Sequence, residues 1–190
     1  MVPDRLPALP SGKIDYVAMD VPTLVGDGTM PSAMTDLRDI GRYVAKIVAD
    51  ERTLNKYVLA YDEVWTPNQV VEELERLSGE KIPRKYLSEQ TLRERIETAA
   101  EQYETHLNQA FLKVSAEYML SWGIYGDNTP ENAKYLGYLT SKELYPDFQP
   151  ISFISYLQEV LDGKAKPVYE DNEAIRSLSI SLREALNGKA

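Results

Sequence analysis

The stretch Asp39-Ile-Gly-Arg-Tyr-Val-Ala-Lys-Ile-Val-Ala-Asp-Glu-Arg-Thr-Leu-Asn-Lys-Tyr-Val58 decides how the chain is read. Ile40, Val44, Ile47 and Val48 recur at spacings of three and four, which is one stripe of an α-helix. Asp36 stands just ahead as its N-cap, and the helix is expected from Leu37 to near Asp50. Tyr57 to Ala60 then forms a short apolar run.

Upstream, the first 36 residues are rich in proline and glycine around two extended stretches, Ile14 to Met19 and Thr23 to Val25, closed by the turn Gly26-Asp27-Gly28. Downstream, Thr66-Pro67-Asn68-Gln69 combines a cap, a proline in the first turn and a glutamine three residues on. That helix turns Val70, Val71, Leu74 and Leu77 inward and stops at Gly79. After an extended piece at Arg84 to Leu87, Ser88 caps a long helical region to about Trp122, with a possible break at His106 to Asn108. Leu92, Ile96, Ala99, Tyr103, Leu107, Phe111, Val114 and Tyr118 space themselves as one buried face of it. Gly123 to Thr129 reads as a loop. Pro130 and Ser152 start two further helices, the second ending at Asp162 before Gly163. Residues 1–163 are expected as one unit, and residues 164–190 as a linker with an amphipathic tail helix carrying Ile175, Leu178, Leu182 and Leu186.

The 190 residues are 43% hydrophobic and 27% charged, a balance that folds. A formal charge of -9 repels a phosphate backbone, so nucleic acid is not an expected ligand. The chain has no cysteine, which excludes disulfides, thiolate zinc sites and a cysteine nucleophile, and suits a reducing compartment. A cytoplasmic, non-membrane protein is expected, since neither a long apolar span nor a signal-peptide core is present.

Two segments carry a family likeness: Asp39 to Val58, and Gly126-Asp-Asn-Thr-Pro-Glu-Asn-Ala-Lys-Tyr-Leu-Gly-Tyr-Leu-Thr-Ser-Lys-Glu-Leu-Tyr-Pro-Asp-Phe148 running on to Leu161. With the Gly26 turn and Ser78 to Ile82, they resemble the second half of NmrA-like and isoflavone-reductase-like proteins. The resemblance implies an α/β, helix-rich fold: the C-terminal part of an NAD(P)-binding Rossmann-like reductase, with a small residual sheet and no complete nucleotide-binding half. It implies NADPH for a full-length member and a small aromatic or polyketide-like substrate. The glycine-rich dinucleotide fingerprint and the catalytic lysine of such enzymes have no counterpart here, so no cofactor is expected on this chain alone. Catalytic residues are therefore left unassigned.

Among candidate sites, the loop Trp122-Gly-Ile-Tyr125-Gly-Asp-Asn128 stands out, because two large rings on a glycine-flanked bend suit the wall of an apolar pocket. Trp122 and Tyr125 are the expected substrate-binding residues, and the competing reading is that both rings fill core. Trp65 is expected to make a hydrophobic staple contact and not a ligand contact. His106 is the sole histidine, and no metal site is expected. Asp39 resembles an acidic residue of related reductases, but capping work in the first helical turn accounts for it. Two functional readings stand: the substrate-binding half of an NADP-dependent reductase, or a non-redox ligand-binding or regulatory protein or cofactor-free isomerase or cyclase. A homo-oligomer or partner chain, met through an exposed sheet edge and the tail helix, accompanies either.

Overall fold

The computed structural model describes residues 6–14, 23–100 and 107–165. The extended stretch Ile14 to Met19 beyond its first residue, His106 and the tail helix lie outside them. Strand β1 (Thr23–Val25) is followed by β2 (Ser32–Met34), α1 (Leu37–Val48), a 3-10 turn (Glu51–Thr53), β3 (Val58–Leu59), β4 (Glu63–Trp65) and α2 (Pro67–Ser78). Then come β5 (Lys85–Leu87), α3 (Glu89–Ala100), α4 (Leu107–Leu120), a π-helical turn (Ser121–Tyr125), α5 (Pro130–Tyr135), β6 (Leu139–Thr140), α6 (Ser141–Leu144) and α7 (Phe153–Leu161). The described residues are helix-rich and hold three two-stranded sheets: β1 with β5 and β3 with β6 in parallel, β2 with β4 antiparallel.

Local signals explain the helix limits. Thr66 Oγ1 accepts from the Gln69 amide while the Gln69 side chain accepts from the Thr66 amide, so two otherwise orphaned donors are satisfied at the start of α2. Gly79, at φ 74°, closes its other end in the left-handed conformation. Ser88, Thr129 and Ser152 cap α3, α5 and α7 through their hydroxyls.

Two cores result. In the first, Val71 and Leu74 of α2 meet Phe153, Leu157 and Val160 of α7, with Leu6, Leu9 and Ile14 packed over them. In the second, Leu92 of α3 and Ala116 and Leu120 of α4 close on Val25 and Leu87 of the β1–β5 pair. Gly123 makes that closure possible: a Cβ there would lie 2.5 Å from Val25 Cγ1.

Two expectations need correction, and a third point could not be read from the sequence. The helical region from Ser88 is described as α3 and α4, and residues 101–106 between them lie outside the described residues. The expected apolar spacing does not mark one buried face: α4 buries Ala116 and Leu120, while Phe111, Val114 and Tyr118 are exposed. The expected loop at Gly123 begins only at Gly126, because the π-helical turn prolongs α4 to Tyr125. The third finding concerns α1, for which the sequence names no inward face: an apolar stripe ordinarily faces a core, yet Ile40, Val44 and Val48 are 46%, 50% and 78% exposed, whereas Asp39 and Tyr43 on another side of the helix are 0% and 1% exposed. The helix is mounted with its apolar side out.

Candidate functional site

A cavity of about 780 Å³ opens between the start of α2, strand β2, the end of α4 and the start of α7. Its body is apolar, formed by Met34, Trp65, Val70, Trp122, Phe153 and Tyr156. Its rim is polar, formed by Ser32, Thr35, Ser121, Asp127 and Asn128. Flat ring walls with a few polar groups at one side are the usual make-up of a small-molecule pocket.

Each wall is held in place. The Trp65 and Phe153 rings lie 4.9 Å apart, tilted by 58°. Trp65 Nε1 donates to Glu63 Oε2 at 2.6 Å, and the other oxygen of Glu63 accepts from the Phe153 amide at 2.8 Å, in the first turn of α7. One carboxylate thus fixes both the indole and the helix beginning beside it. At the rim, Ser121 Oγ donates to Asp127 Oδ2 at 2.8 Å. Asn128 Nδ2 donates to Ser32 Oγ and to the Ala33 carbonyl, and the Ala33 amide donates to the Asn128 carbonyl, which ties the rim loop to β2.

Of the two rings singled out from the sequence, Trp122 lines the cavity and Tyr125 does not. Tyr125 points toward α3, where its hydroxyl accepts from Arg93 Nη2 at 2.6 Å and donates to Glu89 Oε1 at 3.4 Å. The structure does not bring the two together. Trp65 is a wall residue, which its place before a helix start did not reveal. Phe153 and Tyr156 went unnoticed because their partners across the cavity are distant in sequence, and Tyr118, which also lines it, was read as part of a buried helix face.

Nothing in the Gly26-Asp27-Gly28 turn suits a dinucleotide pyrophosphate. The Gly26 amide donates to the Leu87 carbonyl, the Gly28 amide to Val25, and the Thr29 amide to Asp27 Oδ1. The amides that would cradle a phosphate are engaged, and the chain after the turn is extended instead of helical. The Asn68 side chain donates to the Asp27 carbonyl and fills the space where a Cβ on Gly28 would stand. Among the described residues no group of three or more histidine, cysteine or acidic side chains is placed to hold a metal, and no helix is long and apolar enough to cross a membrane.

A second polar cluster lies under the inner face of α1. Asp36 caps α1 through the Arg38 amide and binds the Arg38 guanidinium. Asp39 takes the Ile151 amide at 2.7 Å and the Arg42 guanidinium. Asp62 Oδ2 accepts from the Asp36 amide, and its Oδ1 is buried with no hydrogen-bond partner. Burial pushes the Asp62 carboxyl above the usual carboxylate range, and burial beside Asp62 likewise raises the Tyr43 phenol. These carboxylates pin α1 to its neighbours and do not line the cavity described above.

Residues 10–140 match the model of the NmrA-like family. The chain is 43% identical over 165 residues to the Asnovolin J 5',6'-dehydrogenase of Aspergillus novofumigatus, covering 83% of this chain and 50% of that protein. It is 31% identical over 148 residues to the bifunctional pinoresinol-lariciresinol reductase 3 of Thuja plicata, covering 76% of this chain and 43% of the relative. In fold it is similar to the leucoanthocyanidin reductase–NADPH complex from Vitis vinifera, with a TM-score of 0.62 at 23% identity over 75% of this chain and 45% of that one. An isoflavone reductase structure gives 0.59 at 27% identity over 74% and 43%. The chain spans about half the length of the relatives it matches. With the family model covering most of its residues, this chain belongs to the NmrA-like family and has relatives among the isoflavone- and pinoresinol-reductase-like proteins.

Proposed function

We propose that the chain is the substrate-binding half of an NADP-dependent, isoflavone-reductase-like oxidoreductase, holding a small aromatic or polyketide-like molecule in the cavity between Trp65 and Trp122. The ring-walled cavity with one polar rim carries this reading. A flat ligand would lay its apolar body against Trp65, Trp122 and Phe153 and turn a hydroxyl toward Asp127 and Asn128. Burying about 150 Å² of such a ligand is worth roughly 4 kcal/mol before ordering costs. Because the Gly26, Gly28 and Thr29 amides of the glycine turn are engaged, we assign the chain the binding and orientation of its ligand and no hydride transfer on its own.

A second reading, a non-redox ligand-binding protein or cofactor-free isomerase, draws on the same cavity and on the engaged Gly26, Gly28 and Thr29 amides of the glycine turn. The first test serves both. The chain has two tryptophans, and both line the cavity, so intrinsic fluorescence reports on it directly. Titration with pinoresinol and with an isoflavone should quench that emission saturably. Absence of quenching by either at high micromolar ligand would remove the cavity as a binding site. Product formed from a bound ligand without NADPH would favour the second reading over the first.

A further inference from the structure

Helix α4 is apolar on two sides. One side turns Ala116 and Leu120 into the second core, against Leu92 of α3 and the β1–β5 pair. The other carries Phe111, Val114 and Tyr118, which are 39%, 45% and 67% exposed and belong to neither core. At 3.6 residues per turn these three fall on one stripe, roughly opposite Ala116 and Leu120. A helix that is apolar all round is ordinarily covered all round. The outer stripe of α4 therefore calls for a partner of its own.

The sequence supplies one of matching form. Past α7, Ile175, Leu178, Leu182 and Leu186 recur at spacings of three and four, as Phe111, Val114 and Tyr118 do. The segment that carries them follows from Ala165, which packs on the first core. Tyr156 of that core and Tyr118 of α4 line the same cavity of about 780 Å³, so α7 and the end of the outer stripe stand on two sides of one space. From Ala165 to Ile175 the extended chain reaches about 30 Å, more than enough to cross it.

We propose that the outer face of α4 is the docking surface for this chain's own tail, with Ile175, Leu178, Leu182 and Leu186 laid as a helix along Phe111, Val114 and Tyr118. Stripes of like spacing let the ridges of one helix seat in the grooves of the other. The tether favours this occupant over a free one, because a short link presents the tail at an effective concentration of about millimolar. A second copy of the chain fits less well, since each copy has a formal charge of -9. The proposal does not depend on what the cavity binds.

The chain has no cysteine, so a pair introduced into it is the only pair present. In the full chain, Val114→Cys and Tyr118→Cys are each combined with Leu178→Cys and with Leu182→Cys, and the four variants are oxidised mildly. At least one should form a disulfide within a monomer about tenfold faster than the same tail cysteines paired with Val48→Cys, an apolar position of α1 that is 78% exposed. Separately, Leu178→Asp with Leu182→Asp should lower the melting temperature by about 4 °C or more, as should Phe111→Asp with Val114→Asp. All four together should lower it no further than either pair, because one contact is lost once. Disulfides that form only between chains, none faster than the Val48 control, or melting shifts that simply add would each overturn the proposal. Where the aspartates on α4 prevent folding, the cysteine pairs decide.

Discussion

The carboxylate of Asp62 accepts the backbone amide of Asp36 at 2.6 Å, so one buried acid supports the residue that caps α1. Burial raises the Asp62 pKa in the folded state. Its neutral form is favoured by folding, so its contribution is fully present below the unfolded value of about 4 and is lost as pH rises through the folded value. Asp36 behaves oppositely: burial disfavours its charge, but the Arg38 contacts outweigh this and lower its pKa. Asp62→Asn keeps an acceptor and removes the charge. It should melt no lower than the parent at neutral pH and lose less stability between mildly acidic and neutral pH. A clear drop in melting temperature at neutral pH would contradict this.

Asp39 is fully buried and takes both the Ile151 amide and Arg42. Asp39→Ala should cost about 1 to 3 kcal/mol by chemical denaturation, because the part-buried Ile151 amide and the half-exposed Arg42 guanidinium lose their acceptor together. Asp39→Asn should recover part of it. An alanine variant of unchanged stability would show that the segment before α7 does not depend on this anchor.

Gly123→Ala places a methyl 2.5 Å from Val25 Cγ1 at the helix–strand contact of the second core. Overpacking of this kind costs about 1 to 3 kcal/mol. Because Trp122 is the adjacent residue, the emission maximum should shift as well. A variant with parental stability and emission would mean that α4 yields at no cost.

For the two rings named from the sequence, a paired measurement separates their roles. Trp122→Ala should weaken quenching by pinoresinol, read through Trp65, by about tenfold or more while the helical circular dichroism persists. Tyr125→Phe should change the affinity by less than about twofold, since its hydroxyl is engaged by Arg93 and Glu89 outside the cavity. Equal effects of both substitutions would relocate the ligand.

Isothermal titration of the isolated chain with NADPH should give nothing tighter than about millimolar, roughly -4 kcal/mol. A micromolar constant would mean that a cofactor site exists apart from the glycine turn.

Much of the helical framework was legible because its signals are local. Thr66 with Gln69, Ser152 and Gly79 act within one turn of themselves, and the structure realises each. Which face of α1 packs was not legible. Periodicity reveals that Ile40, Val44 and Val48 share a side, but only Asp39 and Tyr43, bonded to residues far along the chain, decide which side is inside. Sheets of two or three residues leave too short an alternation to read. The cavity was half legible: Trp122 drew notice through its glycine-flanked setting, while Met34, Trp65 and Tyr156 meet it only after folding.

Glu63 links the Trp65 indole to the Phe153 amide through its two oxygens. A guest molecule that displaces the indole must therefore disturb the opening turn of α7, and one that seats flush against the indole steadies that turn. Occupancy of the cavity should consequently register in slowed amide hydrogen exchange at Phe153, a backbone reporter that stays silent for any compound held elsewhere on the surface. Glu63→Gln, with a single remaining acceptor oxygen, would uncouple the two, so that the indole senses the guest and the helix does not.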